Sequence, residues 1–189
     1  YTQLYLSGYG LEIEDLKSFR TWGSLTPGHP EYGHTAGVEM TTGPLGAGIS
    51  TAVGMAMAAR FEKGLLDPNS DLFDHRVYVL CSDGDLQEGV SAEASSLAGT
   101  QELGNLIVIY DDNRISIEGD THVSFTEDVS ARYEAYGWHV EEVATSSDGS
   151  VDIKALDAAT QHRGSSIFVC PAHGAPALDV SGLRRRCWA

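Results

Sequence analysis

The sequence has little positive charge, and this shortage limits the partners that the protein can bind. Lys and Arg number 12 against 27 Asp and Glu, which gives the 189-residue chain a formal net charge of −15. An acidic surface repels nucleic acid and anionic lipid, so we expect neither as a partner. Phosphorylated ligands are repelled as well, so a phosphate site would need a metal ion, backbone N–H groups or helix N-termini.

Cysteine and long apolar runs are also scarce. The three cysteines, Cys81, Cys170 and Cys187, show no metal-type spacing, and their odd number argues against a disulfide framework. This usage fits a reducing cytoplasm. No apolar run approaches the roughly 20 residues of a membrane span, and no signal peptide opens the sequence. We therefore expect a cytoplasmic protein with no membrane segment.

From residue 76 onward the sequence alternates between apolar strand patterns and helical patterns. The predicted strands, of which the first two are expected to be buried, are Arg76–Ser82, Asn105–Tyr110, Trp138–Val143 and Ser165–Cys170. The predicted helices are Gln87–Thr100, one that opens with the capping pattern Ser124–Glu127 and ends near Gly137, and Val151–Arg163. This alternation predicts an α/β fold of three layers, a mostly parallel sheet with helices on both faces.

The residues ahead of this alternation predict short helical pieces, a loop and one long helix. Residues 1–20 read as helical pieces broken at Gly8–Gly10, and residues 21–43 as a loop. The long helix is predicted to open at Gly43-Pro44, with Pro at the first helical position, and to stop at Gly64.

One domain is expected, followed by a tail. Because the chain has no initiator Met and starts within a helical pattern, we expect residues 1–170 to form a domain truncated at its start. Residues 171–189 lose all periodicity and end in Arg-Arg-Arg-Cys-Trp-Ala. We expect them to be a non-native or disordered tail.

Polar residues follow the first two predicted strands. Asp83-Gly84 comes directly after the first strand, and Asn113 follows the second. A right-handed crossover between parallel strands places such residues at the same sheet edge, where open α/β sheets bind ligands. Carboxylate, amide and backbone carbonyl oxygens suit Mg²⁺ or Ca²⁺, with diphosphate oxygens and water completing the shell. These residues alone also leave open a simple turn at Asp83-Gly84.

Five longer motifs occur in a fixed order along the chain. They are Gly28–Glu31, Thr41–Gly46, Ser82–Gly89, Glu93–Gly99 and Leu103–Asn113. In order and spacing they resemble the transketolase family, over roughly Tyr1 to Phe168. Asp83-Gly84 looks like the Gly-Asp-Gly signature of thiamine diphosphate enzymes, with Ser82 in place of the first Gly.

The resemblance implies a thiamine-diphosphate-binding fold, two cofactors and a set of site residues. Asp83 and Asn113 would ligate Mg²⁺ (or Ca²⁺) through their side chains, and Ile115 would do so through its backbone carbonyl. Gly84 would donate its N–H to the diphosphate of thiamine diphosphate, which Asn113 would also contact. The residues that would line the cofactor are Gly43, Pro44 and Leu45.

Two further residues receive catalytic roles from the resemblance. His29 looks like the family histidine that contacts the ketose substrate, and the alternative is a loop histidine that caps local backbone. Glu88 resembles a residue at the family's dimer interface, where acidic side chains share protons. The alternative for Glu88 and Glu93 is that acids near a helix N-terminus simply favour the helix dipole.

The implied reaction moves a two-carbon ketol unit from a ketose phosphate to an aldose phosphate. It requires a Glu from a pyrimidine-binding domain, which we do not find in these 189 residues. We therefore expect the chain to be inactive alone and to work as a homodimer or with a complementary chain that carries this domain. Three alternatives stay open, namely another thiamine-dependent class, a split enzyme and a non-catalytic binding module.

Overall fold

The centre of the molecule is a four-stranded sheet in which all neighbouring strands are parallel. The computed structural model describes residues 1–117, 119–146, 150–161 and 166–171. In chain order its strands are β1 (Val77–Ser82), β2 (Leu106–Asp112), β3 (Ile115–Ser116), β4 (Gly119–Asp120), β5 (His139–Glu142) and β6 (Ser166–Pro171). The main sheet has the order β1-β2-β6-β5, and β3 and β4 form a separate antiparallel pair.

Seven α-helices are described, and two of them form the short pieces predicted near the start of the chain. They are α1 (Thr2–Leu6), α2 (Ile13–Lys17), α3 (Ala47–Leu66), α4 (Asp83–Gln87), α5 (Gly89–Thr100), α6 (Val129–Ala135) and α7 (Ile153–Ala159). A 3-10 turn covers Thr121–Val123. Among the described helices, none is both long enough and apolar enough to cross a membrane.

Strand β2 divides the core into two layers. Its side chains Leu106, Val108 and Tyr110 pack into a cluster that includes residues of α3, α5 and α6. Ile107 points to the other side and packs with Phe168 of β6 and Ala159 of α7. Successive side chains of a strand face opposite sides of a sheet, so the two clusters lie on opposite faces. Helices α3, α5 and α6 cover one face, and α7 covers the other. This confirms the predicted three-layer α/β fold with a parallel sheet.

The long helix begins and ends later than predicted. Pro44 precedes it in a turn, where its carbonyl accepts a hydrogen bond from the N–H of Ala47. The N-cap is Gly46, whose φ of 79° lies in the left-handed region that favours glycine. The helix then continues through Gly64 to Leu66, because an exposed glycine costs about 1 kcal/mol in a helix and does not break it.

Two other sequence predictions are wrong in detail. Helix α6 does not open at Ser124–Glu127, because Asp128 is its N-cap and accepts a hydrogen bond from the N–H of Ala131 at 2.9 Å. The first strand is not buried on both faces. It is the edge strand β1, and its Tyr78 and Leu80 are 57% and 75% exposed.

The predicted tail, residues 171–189, lies outside the described residues except for Pro171 at the end of β6. The end of the predicted helix Val151–Arg163 also falls on residues that the structure does not describe. Its described part forms α7, which begins at Ile153 after the N-cap Asp152. The division of the chain at residue 170 therefore stays a prediction.

Candidate functional site

Asp83 lies at the carboxyl end of β1 and is almost completely buried. It begins α4, in a segment that we call the first turn (residues 82–88), and is only 2% exposed. The hydroxyl of Tyr110 donates to its Oδ1 at 2.7 Å, and the backbone N–H of Arg114 donates to its Oδ2 at 3.0 Å. Since Tyr110 belongs to β2 and Arg114 follows it, the carboxylate connects the ends of two neighbouring strands.

Burial decides the electrostatics of this carboxylate. Burial raises the pKa of Asp83, and the nearby charge of Asp112 raises it too, whereas the hydrogen bonds from Tyr110 and Arg114 lower it. The pKa of Tyr110 is also raised, first by burial and then by its bond to Asp83, so its hydroxyl remains a donor. A bound cation would favour the charged form of Asp83, since opposite charge stabilises a carboxylate.

The segment after β2, which we call the second turn (residues 113–117), is more exposed. The side-chain amide of Asn113 donates to Oδ2 of Asp111 at 2.9 Å, and its Oδ1 accepts the N–H of Ile115 at 2.9 Å. These bonds fix the orientation of the amide and leave a second lone pair on Oδ1. Arg114 and Ile117 have φ values of 57° and 60°, so the chain bends sharply around Ile115.

A third segment, the glycine loop (residues 42–46), packs against both His29 and the first turn. A Cβ added to Gly43 would lie 3.3 Å from the ring of His29, and one added to Gly84 would lie 3.2 Å from Cδ1 of Leu45. The loop is also joined to the His29 segment by a hydrogen bond from the N–H of Thr42 to the carbonyl of Pro30 at 3.0 Å. Glycine therefore permits these close approaches.

The two residues with predicted catalytic roles are exposed. His29 lies at the surface with its ring against Gly43. Glu88 is exposed at the N-cap of α5, and its side chain makes no capping hydrogen bond to that helix as the structure describes it. Pro44 is exposed as well, beside Leu45. The structure thus brings His29, the glycine loop and both turns together, while the roles of His29 and Glu88 stay predictions.

An acidic cleft of about 540 Å³ opens beside Asp83. Its lining includes the carboxylates Asp83, Asp112, Asp120, Glu127, Asp128 and Glu142. Arg114 and His122 also line it, and Nδ1 of His122 lies 2.9 Å from Oδ1 of Asp120. The backbone N–H of His122 is the main cause that lowers the pKa of Asp120. Asp83 is the one predicted metal or cofactor residue in this lining, so the cleft adjoins the predicted site on that side. A diphosphate bound beside it would meet net negative charge, so its binding calls for a cation.

The donors present fit a metal ion that keeps ligands from elsewhere. No group of three or more His, Cys, Asp or Glu side chains in the described part of the chain could hold a metal ion. The candidate donors are instead the Asp83 carboxylate, the Asn113 amide oxygen and the Ile115 carbonyl. Such a sparse set of hard oxygens suits Mg²⁺, which binds through one or two carboxylates together with phosphate oxygens and water. The close contacts at Gly43 and Gly84 are with the protein's own side chains, among them His29 and Leu45, and they show how the glycine loop packs beside these donors.

Sequence reasoning missed three residues that shape this site. Tyr110 was predicted only as the last residue of an apolar strand, yet its hydroxyl contacts Asp83. Arg114 contributes its backbone N–H, which no side-chain pattern could indicate. Asp85 joins the first turn to the glycine loop, since its Oδ1 accepts the N–H of Gly46 at 3.1 Å. Its position three residues after Ser82, at a helix start, is the sequence feature that could have indicated a capping role for its side chain.

Comparison with known proteins extends this picture over most of the chain. Residues 1–180 match the family model described as "Transketolase, thiamine diphosphate binding domain". The transketolase of Mycobacterium leprae is 65% identical over 147 residues, which cover 76% of this chain and 21% of that protein. A probable transketolase of Streptococcus pneumoniae is 50% identical over 180 residues, 94% of this chain and 26% of that protein.

Solved structures agree with the sequence relatives. A Pichia stipitis transketolase in complex with sedoheptulose 7-phosphate is 49% identical, has a TM-score of 0.82 and matches 90% of this chain. The match covers 26% of that structure, so this chain spans only about a quarter of the solved relative. The chain therefore belongs to the transketolase family and matches that family's thiamine diphosphate binding domain.

Proposed function

We propose that this chain provides the metal and diphosphate side of a transketolase site. The observation that carries the proposal is the buried carboxylate of Asp83, which joins the ends of β1 and β2 through Tyr110 and Arg114. In the proposed assembly the whole protein transfers a two-carbon ketol unit from a ketose phosphate to an aldose phosphate. Membership of the transketolase family supports this transferase chemistry.

The proposed metal is Mg²⁺, or Ca²⁺ in its place. Asp83 and Asn113 would bind it through their side chains, and Ile115 through its backbone carbonyl. The acidic cleft supports this assignment, because a divalent cation offsets the repulsion between its carboxylates and a diphosphate. Gly84 would donate its backbone N–H to the diphosphate, with Asn113 as a second contact.

Thiamine diphosphate is the proposed cofactor, and it supplies the electron sink for ketol transfer when bound. The residues of this chain that would line it are Gly43, Pro44 and Leu45. The close contact between Leu45 and Gly84 supports this arrangement, since it places the glycine loop directly on the first turn.

Sugar phosphates are the proposed substrates. His29 would donate a hydrogen bond to a sugar oxygen, which a histidine can do in either protonation state. Its exposure and its contact with Gly43 support a position between solvent and cofactor. The Pichia stipitis structure with sedoheptulose 7-phosphate supports the substrate class.

The chain is proposed to be inactive until a second subunit or a complementary chain supplies the pyrimidine-binding domain and its Glu. Exposed apolar side chains on α3 and α5, among them Phe61, Leu65 and Leu97, support the presence of further protein on these surfaces. Glu88 would lie at such an interface. Residues 1–170 would form the binding domain, and residues 171–189 a tail. The proposed compartment is the cytoplasm, which the free buried thiol of Cys81 supports.

Calorimetric titration tests this function. The chain is titrated with thiamine diphosphate, with and without Mg²⁺, both alone and mixed with a chain that carries the pyrimidine-binding domain. We expect binding that requires the metal. Asp83→Ala should lower the affinity about 100-fold or more, because substituting even a residue that only hydrogen-bonds to a metal ligand lowers metal affinity by about 10–100-fold.

Asp157→Ala is the matched control, because it removes an exposed carboxylate on α7 outside the candidate site. It should bind like the wild type. Binding without metal, or equal affinity in Asp83→Ala and wild type, would contradict the proposal. So would the absence of binding in both the isolated chain and the mixture.

A further inference from the structure

Asp85 connects two segments that serve different parts of one cofactor in the proposed function. It is the third residue of α4 and is partly buried. Its Oδ2 accepts the backbone N–H of Ser82 at 3.1 Å, and its Oδ1 accepts the backbone N–H of Gly46 at 3.1 Å. A single carboxylate thus joins the first turn to the glycine loop, across 39 positions of the sequence.

The glycine loop is seated tightly beside this carboxylate. A Cβ added to Gly46 would lie 2.8 Å from Oγ of Ser91, 2.9 Å from Cβ of Glu88 and 3.0 Å from Cγ1 of Val90. Its φ of 79° also favours glycine. Ser91 is buried and donates its hydroxyl to the backbone carbonyl of Asp85 at 2.5 Å. The loop therefore rests on the start of α5, with Asp85 as the polar connection.

Asp85 and Asp83 hold different partners although they are only two residues apart. Asp83 contacts Tyr110 and Arg114, on the side of β2. Asp85 contacts Gly46, on the side of α3. Loss of Asp85 would free the glycine loop and the N–H of Ser82, while the bonds of Asp83 to Tyr110 and Arg114 would remain.

We infer that Asp85 is a positioning residue that holds the glycine loop on the first turn, so that the ring-lining and metal-binding sides of the site form together. The inference rests on the proposed function, because it assigns these two sides to the same cofactor. Asp85 itself touches neither metal nor cofactor in this assignment. It acts by fixing the distance between Leu45 and Asp83.

Two ligands separate these sides experimentally. Inorganic pyrophosphate with Mg²⁺ probes the metal and diphosphate side, and thiamine diphosphate with Mg²⁺ probes the whole site. Both dissociation constants are measured by calorimetry. The sample is the isolated chain or its mixture with the complementary chain, whichever binds the ligands when the chain is wild type. For Asp85→Ala we expect affinity for thiamine diphosphate to fall about 10-fold, as for one lost hydrogen bond to a charged group. The fall for pyrophosphate should be clearly smaller, because Asp83 keeps its bonds to Tyr110 and Arg114.

Two further variants keep the inference testable if Asp85→Ala folds poorly. Asp85→Asn retains one acceptor oxygen, so its loss for thiamine diphosphate should be smaller. Gly46→Ala disturbs the same joint from the other side and should give the same selective loss. Combined with Asp85→Ala, it should add little, since contacting residues are not additive.

A merely structural role for Asp85 would weaken both ligands equally and lower the melting temperature in parallel. Equal losses, or no loss for either ligand, would overturn the inference while leaving the proposed function intact. If the wild type binds neither ligand, the proposed function fails, and the inference fails with it.

Discussion

The first and second turns follow neighbouring parallel strands, yet the protein holds them differently. In the first turn Asp83, Gly84 and Leu86 are buried, and the segment forms the short helix α4. In the second turn Ile115 is half exposed and Ile117 is 99% exposed. One side of the candidate metal site is therefore held by the core of the protein, while the other side is held by a few hydrogen bonds.

The hydrogen bonds show where the two turns depend on each other. The N–H of Arg114 donates to Asp83, and this contact joins the exposed turn to the buried one. The other bonds of the second turn reach only nearby residues. Asn113 bonds to Asp111 and Ile115, the carbonyl of Arg114 accepts the N–H of Thr121, and β3 pairs with β4. We infer that substitutions of the buried residues Asp83, Gly84 and Leu86 in the first turn affect folding and binding together, whereas those in the second turn affect binding alone.

The largest expected difference between the turns is in stability. Leu86→Ala should lower the free energy of unfolding by about 2–5 kcal/mol, because Leu86 is 1% exposed and its removal leaves a cavity. Ile117→Ala should stay within about 0.5 kcal/mol of the wild type, because its side chain is exposed. Urea unfolding followed by circular dichroism measures both values. Similar losses in the two variants would contradict the comparison.

A smaller effect is expected where the turns meet, at the hydroxyl of Tyr110. Tyr110→Phe removes the donor to Asp83 and should raise the dissociation constant for Mg²⁺, measured with thiamine diphosphate present, by about 10-fold. Tyr133→Phe is the matched control, since its hydroxyl pairs at 2.9 Å with Oγ of Ser95. The control should lose stability and keep its metal affinity. Unchanged metal affinity in Tyr110→Phe would show that this hydroxyl does not support the metal site.

The smallest expected effect is a pH-dependent change in stability that comes from Tyr133 of α6. Burial raises the pKa of Tyr133 from 10.0 to about 12. The folded state thus binds this proton more tightly than the unfolded state. The stabilisation is present below about pH 10 and is lost as the pH rises through about 12, with a loss of about 1 kcal/mol at pH 11.

Thermal or urea unfolding of the wild type and Tyr133→Phe between pH 8 and 11 isolates this contribution, because other titrating groups are shared. The difference in stability between the two proteins should become less favourable to the wild type above about pH 10. A difference that does not change with pH would indicate an ordinary pKa for Tyr133.

Much of the fold could be predicted because apolar patterning decides it. The strands β1, β2, β5 and β6 lie within the predicted segments or within two residues of them. One error was local, and the other depended on tertiary structure. Asp128 caps α6 although Ser124–Glu127 shows the stronger local pattern. The exposure of Leu80 follows from the edge position of β1, which its apolar sequence does not reveal.

The candidate site could be predicted only in part. The topology brings Asp83 and the segment after β2 together, as the spacing of Asp83 and Asn113 indicated. The pair β3–β4 and the positive φ values of Arg114 and Ile117 were not predicted, since a non-glycine residue gives little indication of a left-handed conformation. The contact between Asp85 and Gly46 also escaped, because the two residues are distant in sequence.

The most direct test of the central claim is a crystal structure of the protein with Mg²⁺ and thiamine diphosphate. We expect the metal within about 2.1 Å of an Asp83 carboxylate oxygen, the Asn113 amide oxygen and the Ile115 carbonyl oxygen, with diphosphate oxygens completing an octahedral shell. A metal bound elsewhere, or a diphosphate bound without contact to either turn, would contradict the account.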